Sequence, residues 1–470
     1  VCTTSQTLFD KAWDAHVIKD MGGGFSLLQV DRNFIHDLSG TRALRQLSDQ
    51  GRAVMYPDLT FACPDHTVST AVDAPHTGER YQKCVDPLRE MAERQGIKFF
   101  EIGQHGFGII HVIGPELGLT LPGALVVCGD SHTSTHGGLG ALAWGIGASE
   151  VAHVLATGAV IQKKPGRMRV SFDGEMQTAV TAKDLILYLI GREGVAAGNG
   201  YAVEYAGSTV RGLSVEERMT LCNLSIEMGA KVGMIAPDQT TFQYLSGRDH
   251  APKGRDWDSA IKYWQTLPSD GDASFDKEIS VNVNDIAPQI TWGTSPDQVV
   301  AIDGLIPDPA HQTSPEKRDS LTKALAYSGL SPNQSLEGTR IDQVFIGSCT
   351  NSRLSDLQAA AAVVRGQKVA SHVTAWVVPG SYDVKQAAEA EGLDVVFKEA
   401  GFEWRNPGCS LCVGSNGETV AAGKRCVSTS NRNFVGRQGK GSRTHLASPI
   451  MAAAAAIQGA ITDVRKMMKG

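Results

Sequence analysis

No stretch of this 470-residue chain stays apolar for the length of a membrane span, so no membrane-spanning helix is expected within it. The most apolar run, residues 451–456, is short and mostly alanine. There is no run of lysine or arginine, and the formal net charge is −6, so nucleic acid is excluded as the main partner. The opening Val-Cys-Thr-Thr-Ser-Gln has no basic segment leading into an apolar core, and no secretory signal is expected. No internal repeat or low-complexity segment is present. Nine cysteines, an odd number spread over a long chain, lack the density of a disulfide scaffold. They favour a reducing compartment, the cytoplasm, and metal or thiol chemistry. A second Cys-x-x-Cys pair, which structural zinc usually requires, is also missing.

What is present is a large α/β chain. Its length exceeds what one hydrophobic core usually serves, so two to four domains are expected. Apolar strands alternate with helical segments, which predicts parallel sheets. Composition and turn signals divide the chain at about 1–165, 166–285 and 286–470, with a linker near 305–317. The spacing predicts helices over 8–16, 82–95, 141–162 and 355–365, and strands over 25–31, 97–101, 124–128, 344–347, 373–378 and 425–428. Thr181 with Asp184, and Ser214 with Glu217, read as helix starts in which a short oxygen side chain precedes an acid by three residues. Ser448-Pro449 reads as the start of the last helix.

The chemistry-bearing residues fall just past the ends of apolar strands. Asp130, Ser131 and His132 follow strand 124–128, Cys349 follows 344–347, and Asn431, Arg432 and Arg437 follow 425–428. In open α/β sheets ligands bind at such ends, and the helix N-termini that follow favour an anion. Cys409 and Cys412 form Pro-Gly-Cys-Ser-Leu-Cys, and Cys349 lies in Gly-Ser-Cys-Thr-Asn-Ser-Arg. Three thiolates of this kind can hold three irons of a four-iron cluster and leave the fourth open, whereas electron carriers usually close the cluster with four cysteines. Half of a zinc site, a redox dithiol and three buried free thiols are the other readings of the same residues. Asp65-His66, Asp130 with His132, and the separate His111 and Glu204 are candidate imidazole–carboxylate partners for acid–base work. Arg353, Arg432 and Arg437 offer guanidinium forks for a carboxylate. Three other motif matches fail on context. Gly138-Leu-Gly140 lacks a preceding strand and a ribose acid, Gly436–Gly441 has the wrong spacing for a phosphate loop, and His132-x-x-x-His136 has threonine where a metalloprotease needs glutamate.

Gly-Asp-Ser-His-Thr (129–133), Gly-Ser-Cys-Thr-Asn-Ser (347–352), Pro-Gly-Cys-x-x-Cys (407–412) and Asn-Arg-Asn-Phe-x-Gly-Arg (431–437) together resemble the aconitase superfamily of iron–sulfur hydro-lyases. Within it, nearly the whole chain is similar to the large subunits of the isopropylmalate isomerase branch. The resemblance implies three parallel-sheet α/β domains without the swivelling fourth domain. It implies one [4Fe-4S] cluster per subunit on Cys349, Cys409 and Cys412, bordered by Asn351 and Asn431, with one iron not ligated by cysteine. Asp65 with His66, Asp130 with His111, and Glu204 with His132 would be the acid–base pairs. Ser131, Arg432 and Arg437 would contact a dicarboxylate, and Arg353 would lie on the substrate side. The reaction would move a hydroxyl between adjacent carbons through a cis-alkene diacid, in leucine biosynthesis. A separate small subunit would supply the swivel domain. Cys63-Pro64, just before Asp65, departs from the branch's usual text. It leaves open a paralogue acting on another alkylmalate or maleate, beside a cluster-binding regulatory protein without activity.

Overall fold

The computed structural model describes residues 5–73 and 78–468. Each of the three regions expected from the sequence carries one sheet with parallel strands. Packing groups those regions into two compact units. One comprises residues 5–68, 78–174 and 198–281, and the other 69–73, 175–197 and 282–468. Part of region 166–285 shares a core with the region before it. Ala202, Val215, Met219, Val232, Phe242 and Trp264 pack in the same apolar cluster as Leu8, Trp13, Leu125 and Trp144. Among the described residues no helix is long and apolar enough to cross a membrane.

In the first unit a five-stranded parallel sheet runs Lys98–Phe99, Thr60–Ala62, Arg32–Ile35, Leu125–Cys128, Leu142–Gly145. The two neighbours Arg32–Ile35 and Leu125–Cys128 mark a reversal of strand order, because the chain builds outward from the first of them in both directions. Such a reversal opens a crevice at the carboxyl ends of the central strands. A second sheet orders Val232–Ile235, Tyr201–Ala206, Gly166–Asp173, Lys277–Asn282, and a third, antiparallel, joins Val17–Gly22, Phe25–Gln29 and Ala159–Lys163. The long helix expected over 141–162 is instead strand Leu142–Gly145, helix Ala148–Thr157 and strand Ala159–Lys163. Gly147 starts that helix and Gly158, at φ +67°, ends it. An apolar run buried on both faces does not distinguish strand from helix, and these glycines are the punctuation.

The second unit repeats the arrangement. Its five-stranded parallel sheet runs Glu403–Trp404, Thr374–Val377, Gln343–Ile346, Arg425–Ser428, Arg443–Leu446, with the reversal between Gln343–Ile346 and Arg425–Ser428. The hairpin Gln289–Thr291 with Val299–Ala301 belongs to the same unit. The helix Ala182–Glu193 begins as expected, with Asp184 accepting hydrogen bonds from the Thr181 N–H (2.8 Å) and hydroxyl (2.7 Å). Pro449 opens the last helix, but the Ser448 hydroxyl makes no capping bond.

The turn that carries His132, a 3₁₀ segment over Ser131–Leu139, is pressed onto its neighbours. A Cβ on Gly137 would stand 1.7 Å from the Gly233 carbonyl oxygen, and one on Gly138 would stand 2.6 Å from the Met219 nitrogen. Gly137→Ala is therefore expected to destabilise the chain by about 3 kcal/mol in denaturant unfolding, because backbone cannot yield to the added methyl. Gly212→Ala, where a Cβ meets open space, is expected to be near neutral in the same assay.

Candidate active site

Three strand ends of the first unit deliver the residues of one buried network. His36 and Asp37 follow Arg32–Ile35, Asp65 and His66 follow Thr60–Ala62, and Asp130 follows Leu125–Cys128. Asp37 is fully buried and shapes the second of these loops. Its carboxylate accepts from the N–H groups of Asp65 (3.2 Å), His66 (3.1 Å) and Thr67 (2.7 Å) and from the Thr67 hydroxyl (2.5 Å). Asp65 in turn accepts from the Ile110 N–H (3.0 Å) and from His66 Nδ1 (2.5 Å). That leaves His66 Nε2 pointing at Asp130 Oδ2, 3.4 Å away.

Asp130 is the hub. Its Oδ1 accepts from His111 Nε2 (3.0 Å) and from the His132 N–H (2.7 Å). His111 Nδ1 contacts His136 Nε2 (3.1 Å), and His136 Nδ1 contacts the Thr120 hydroxyl (2.6 Å), so a chain of buried groups fixes the His111 ring. Burial alone would raise the Asp130 pKa, but bonds from His111, His132 and His66 hold it well below the usual carboxylate value. Burial likewise opposes charge on His66, yet Asp65 and Asp130 raise its pKa well above the ordinary histidine value. His36 stacks on His66 with ring centroids 4.3 Å apart, and burial together with the His66 charge lowers its pKa. His36, Asp37, Asp65 and His66 lie close enough to suggest a metal site. Both carboxylates are already engaged by N–H donors, so hydrogen bonding accounts for the cluster.

The structure brings together Asp65, His66, His111, Asp130 and His132, and corrects one expected pair. Glu204 does not hold His132. It lies on the strand Tyr201–Ala206 and accepts from the Ser269 hydroxyl (2.6 Å), and burial raises its pKa. Glu227, in the 3₁₀ turn Leu224–Met228, takes the place expected for it, with Oε1 2.9 Å from His132 Nε2. Strand alternation fixes where Glu204 points, and the sequence carries no signal for a partner that meets His132 from a separate turn. Ser131 is half-buried, its hydroxyl 3.4 Å from His132 Nδ1. Cys63 is fully buried and donates to the Gly108 carbonyl (3.1 Å), so this departure from the branch's text packs inward.

In the second unit the strand Gln343–Ile346 delivers Cys349, and Arg425–Ser428 delivers Asn431. The two loops meet at the sheet's order reversal. Asn431 Nδ2 stands 3.5 Å from Cys349 Sγ, and its Oδ1 stands 3.5 Å from Cys412 Sγ. The Ser348 hydroxyl lies 3.3 Å from Cys412 Sγ. Ser348 at φ +79° and Ser410 at φ +47° are left-handed, a conformation that costs a serine and persists where surrounding structure imposes it. Glu418 supplies part of that brace. It accepts from Ser410 (2.5 Å) and Thr70 (2.7 Å) and pairs with Arg405 (3.0 Å). Asn351 donates to Asp356 (2.9 Å) at the start of the helix Leu354–Val364.

Arg353 is tied to the cysteine loop itself. It is buried, and its two terminal nitrogens donate to the Thr350 and Cys349 carbonyls, each at 2.8 Å. These bonds hold the cysteine loop. Arg437 donates through Nε to the Cys412 carbonyl (3.1 Å), which leaves the rest of its fork for other partners. Arg432 is half-buried, with its guanidinium 6.0 Å from the Phe434 ring. Sequence reasoning missed Asp37, His136, Glu227, Glu418 and Arg405. Asp37 and Arg405, just past strand ends, have a signal of the kind used for Asp130.

Residues 10–459 match the aconitase (aconitate hydratase) family model. A protein of Bradyrhizobium diazoefficiens, 3-isopropylmalate dehydratase large subunit 1, is 59% identical over 467 residues, covering 99% of this chain and 98% of its own. A solved structure, the holo-form of aconitase X from Thermococcus kodakaraensis, aligns over 98% of this chain and 95% of its own. Its TM-score is 0.48 and its identity 11%.

Proposed function

Because the chain belongs to the aconitase family, we propose that its hydro-lyase activity converts 2-isopropylmalate to 3-isopropylmalate by dehydration and rehydration through a cis-alkene diacid. It is an enzyme, and leucine biosynthesis is the role that follows from its 59% identical relative. That near full-length identity is the observation that carries the substrate reading. The inward packing of Cys63 removes the main sequence feature that favoured a paralogue.

The family's cofactor is a four-iron, four-sulfur cluster. The thiols of Cys349, Cys409 and Cys412 fit it, being buried on two loops of one unit, with Ser348 and Asn431 placed to bond the sulfurs of Cys412 and Cys349. Three thiolates would hold one cluster per chain and leave one iron without a cysteine. When bound, that iron supplies a Lewis acid for a hydroxyl and a carboxylate. The chain's own residues handle protons and position. His66, kept protonated by Asp65 and Asp130, would give its Nε2 proton to the departing hydroxyl while a base on the small subunit takes the proton from the adjacent carbon, and both protons return on hydration. His111 and His132 keep Asp130 ionised, and Glu227 fixes the His132 tautomer. Arg432, Arg437 and Ser131 bind the dicarboxylate.

The relative's designation as a large subunit supports a separate small subunit as partner, bringing the swivel domain in the cytoplasm. The test is anaerobic assembly of the loaded chain with that subunit, with malate, citramalate, 2-isopropylmalate and citrate followed by alkene absorbance. Turnover of 2-isopropylmalate only when both chains are present is expected. No dehydration of any acid by the fully loaded pair would indicate a binding protein instead. In the same assay Glu227→Gln is expected to lower kcat by about a hundredfold, the usual worth of a positioned acid–base group. Glu204→Gln is expected to stay close to the unaltered enzyme.

A further inference from the structure

Lys183 is a fully buried lysine with no role in the chemistry above. It sits in the first turn of the helix Ala182–Glu193, next to Asp184, whose carboxylate is engaged by Thr181 and by the Gln289 N–H (2.7 Å). The Lys183 ammonium turns to another loop and donates to the Thr429 and Ser430 carbonyls, each at 2.6 Å. Those residues immediately precede Asn431, whose amide contacts the sulfurs of Cys349 and Cys412. Burial pulls the Lys183 pKa down to about 7, and Asp356, Cys412, Cys349 and Asp184 are the neighbours that favour its charge. A desolvated ammonium bonded to neutral carbonyls is costly unless negative charge lies near it. Three thiols that ionise on binding metal bring such charge to this unit.

We propose that Lys183 is a positioning residue for the cluster: it holds the Thr429–Asn431 segment against the thiol face and offsets the charge of the ligating thiolates. This rests on the cluster assignment above. Partners of this kind, behind the ligands, typically govern metal retention rather than folding.

The test uses Lys183→Met, nearly isosteric and uncharged, and Lys183→Gln, which can still donate to a carbonyl. Each full-length chain is reconstituted anaerobically with iron and sulfide. Iron content, visible and electron paramagnetic resonance spectra, and the rate of iron loss to a chelator are then compared. Apo chains are checked by circular dichroism and thermal melting. The apo methionine variant is expected to melt at or above the unaltered chain, and its loaded form to lose iron about ten to a hundred times faster, with the glutamine variant between. Iron loss at the unaltered rate with an unchanged spectrum would overturn the assignment. So would an apo methionine variant that melts far lower, since Lys183 would then serve the scaffold. Failure of the unaltered chain to take up iron would overturn the cluster reading itself, a separable result.

Discussion

Replacing Cys409 with serine is expected to leave a folded chain that retains little iron and, in the two-chain enzyme, dehydrates its substrate at least about a thousandfold more slowly. A Lewis acid contributes several kcal/mol to such a step, and each 1.36 kcal/mol is about tenfold in rate. The hydroxyl is a hard, weakly acidic ligand where a soft thiolate is needed. The loop should persist, because Glu418, Arg405 and Thr70 brace its neighbour Ser410 rather than the sulfur. Cys426→Ser is the matching control. Cys426 is buried in the strand Arg425–Ser428, where burial raises its thiol pKa, and its sulfur faces the Val427 carbonyl. That variant is expected to lose some stability and keep its iron. Iron content per folded chain, read beside turnover, separates the two cases.

Asp130→Asn is expected to lower kcat by about 10² to 10⁴, with iron content unchanged, since it acts on protons rather than on sulfur. Asparagine keeps an oxygen that can accept from the His132 N–H, so the turn should survive while the charge is lost. The pH response should change with it. The raised His66 pKa contributes stability that is complete below about 6.5 and is lost as pH rises through the higher folded value. The depressed Asp130 pKa contributes stability that is complete above about 3.9 and is lost as pH falls through the lower folded value. Removing Asp130 takes away one of the groups that raise His66. The alkaline limb of the kcat profile should therefore move to lower pH, and the variant should lose the acid-side contribution in melting curves. An unmoved alkaline limb would dissociate His66 from the proton step.

Much of this site could be read from the chain because its residues sit past strand ends. Asp130, Cys349 and Asn431 each follow a run of four buried strand residues, and both sheets reverse their order at those strands. Strand ends are local and leave a sequence signal. Pairing across the fold does not. Glu204 and Glu227 are both acids of the same region, and only the packing of a 3₁₀ turn decides which meets His132. Arg353 follows the cysteine motif, and nothing in the sequence shows that its terminal nitrogens bond the Thr350 and Cys349 carbonyls. Lys183 lies in sequence far from the loop it holds, and nothing about an Ala-Lys-Asp run announces a buried ammonium. The misread helix over 141–162 has a different cause, a continuous apolar stretch whose strand-helix-strand division rests on Gly147 and Gly158.

The central claim is that one iron of the bound cluster lacks a cysteine. Its most direct test is iron and sulfide per chain in anaerobically prepared protein, before and after mild oxidation. The expected result is about four irons and four sulfides at the start, falling to about three irons with the sulfide retained, because an iron held by no thiolate leaves first. Iron that stays at its starting value would mean a fourth protein ligand closes the cluster. A preparation that binds zinc in place of iron and sulfide would contradict the account outright.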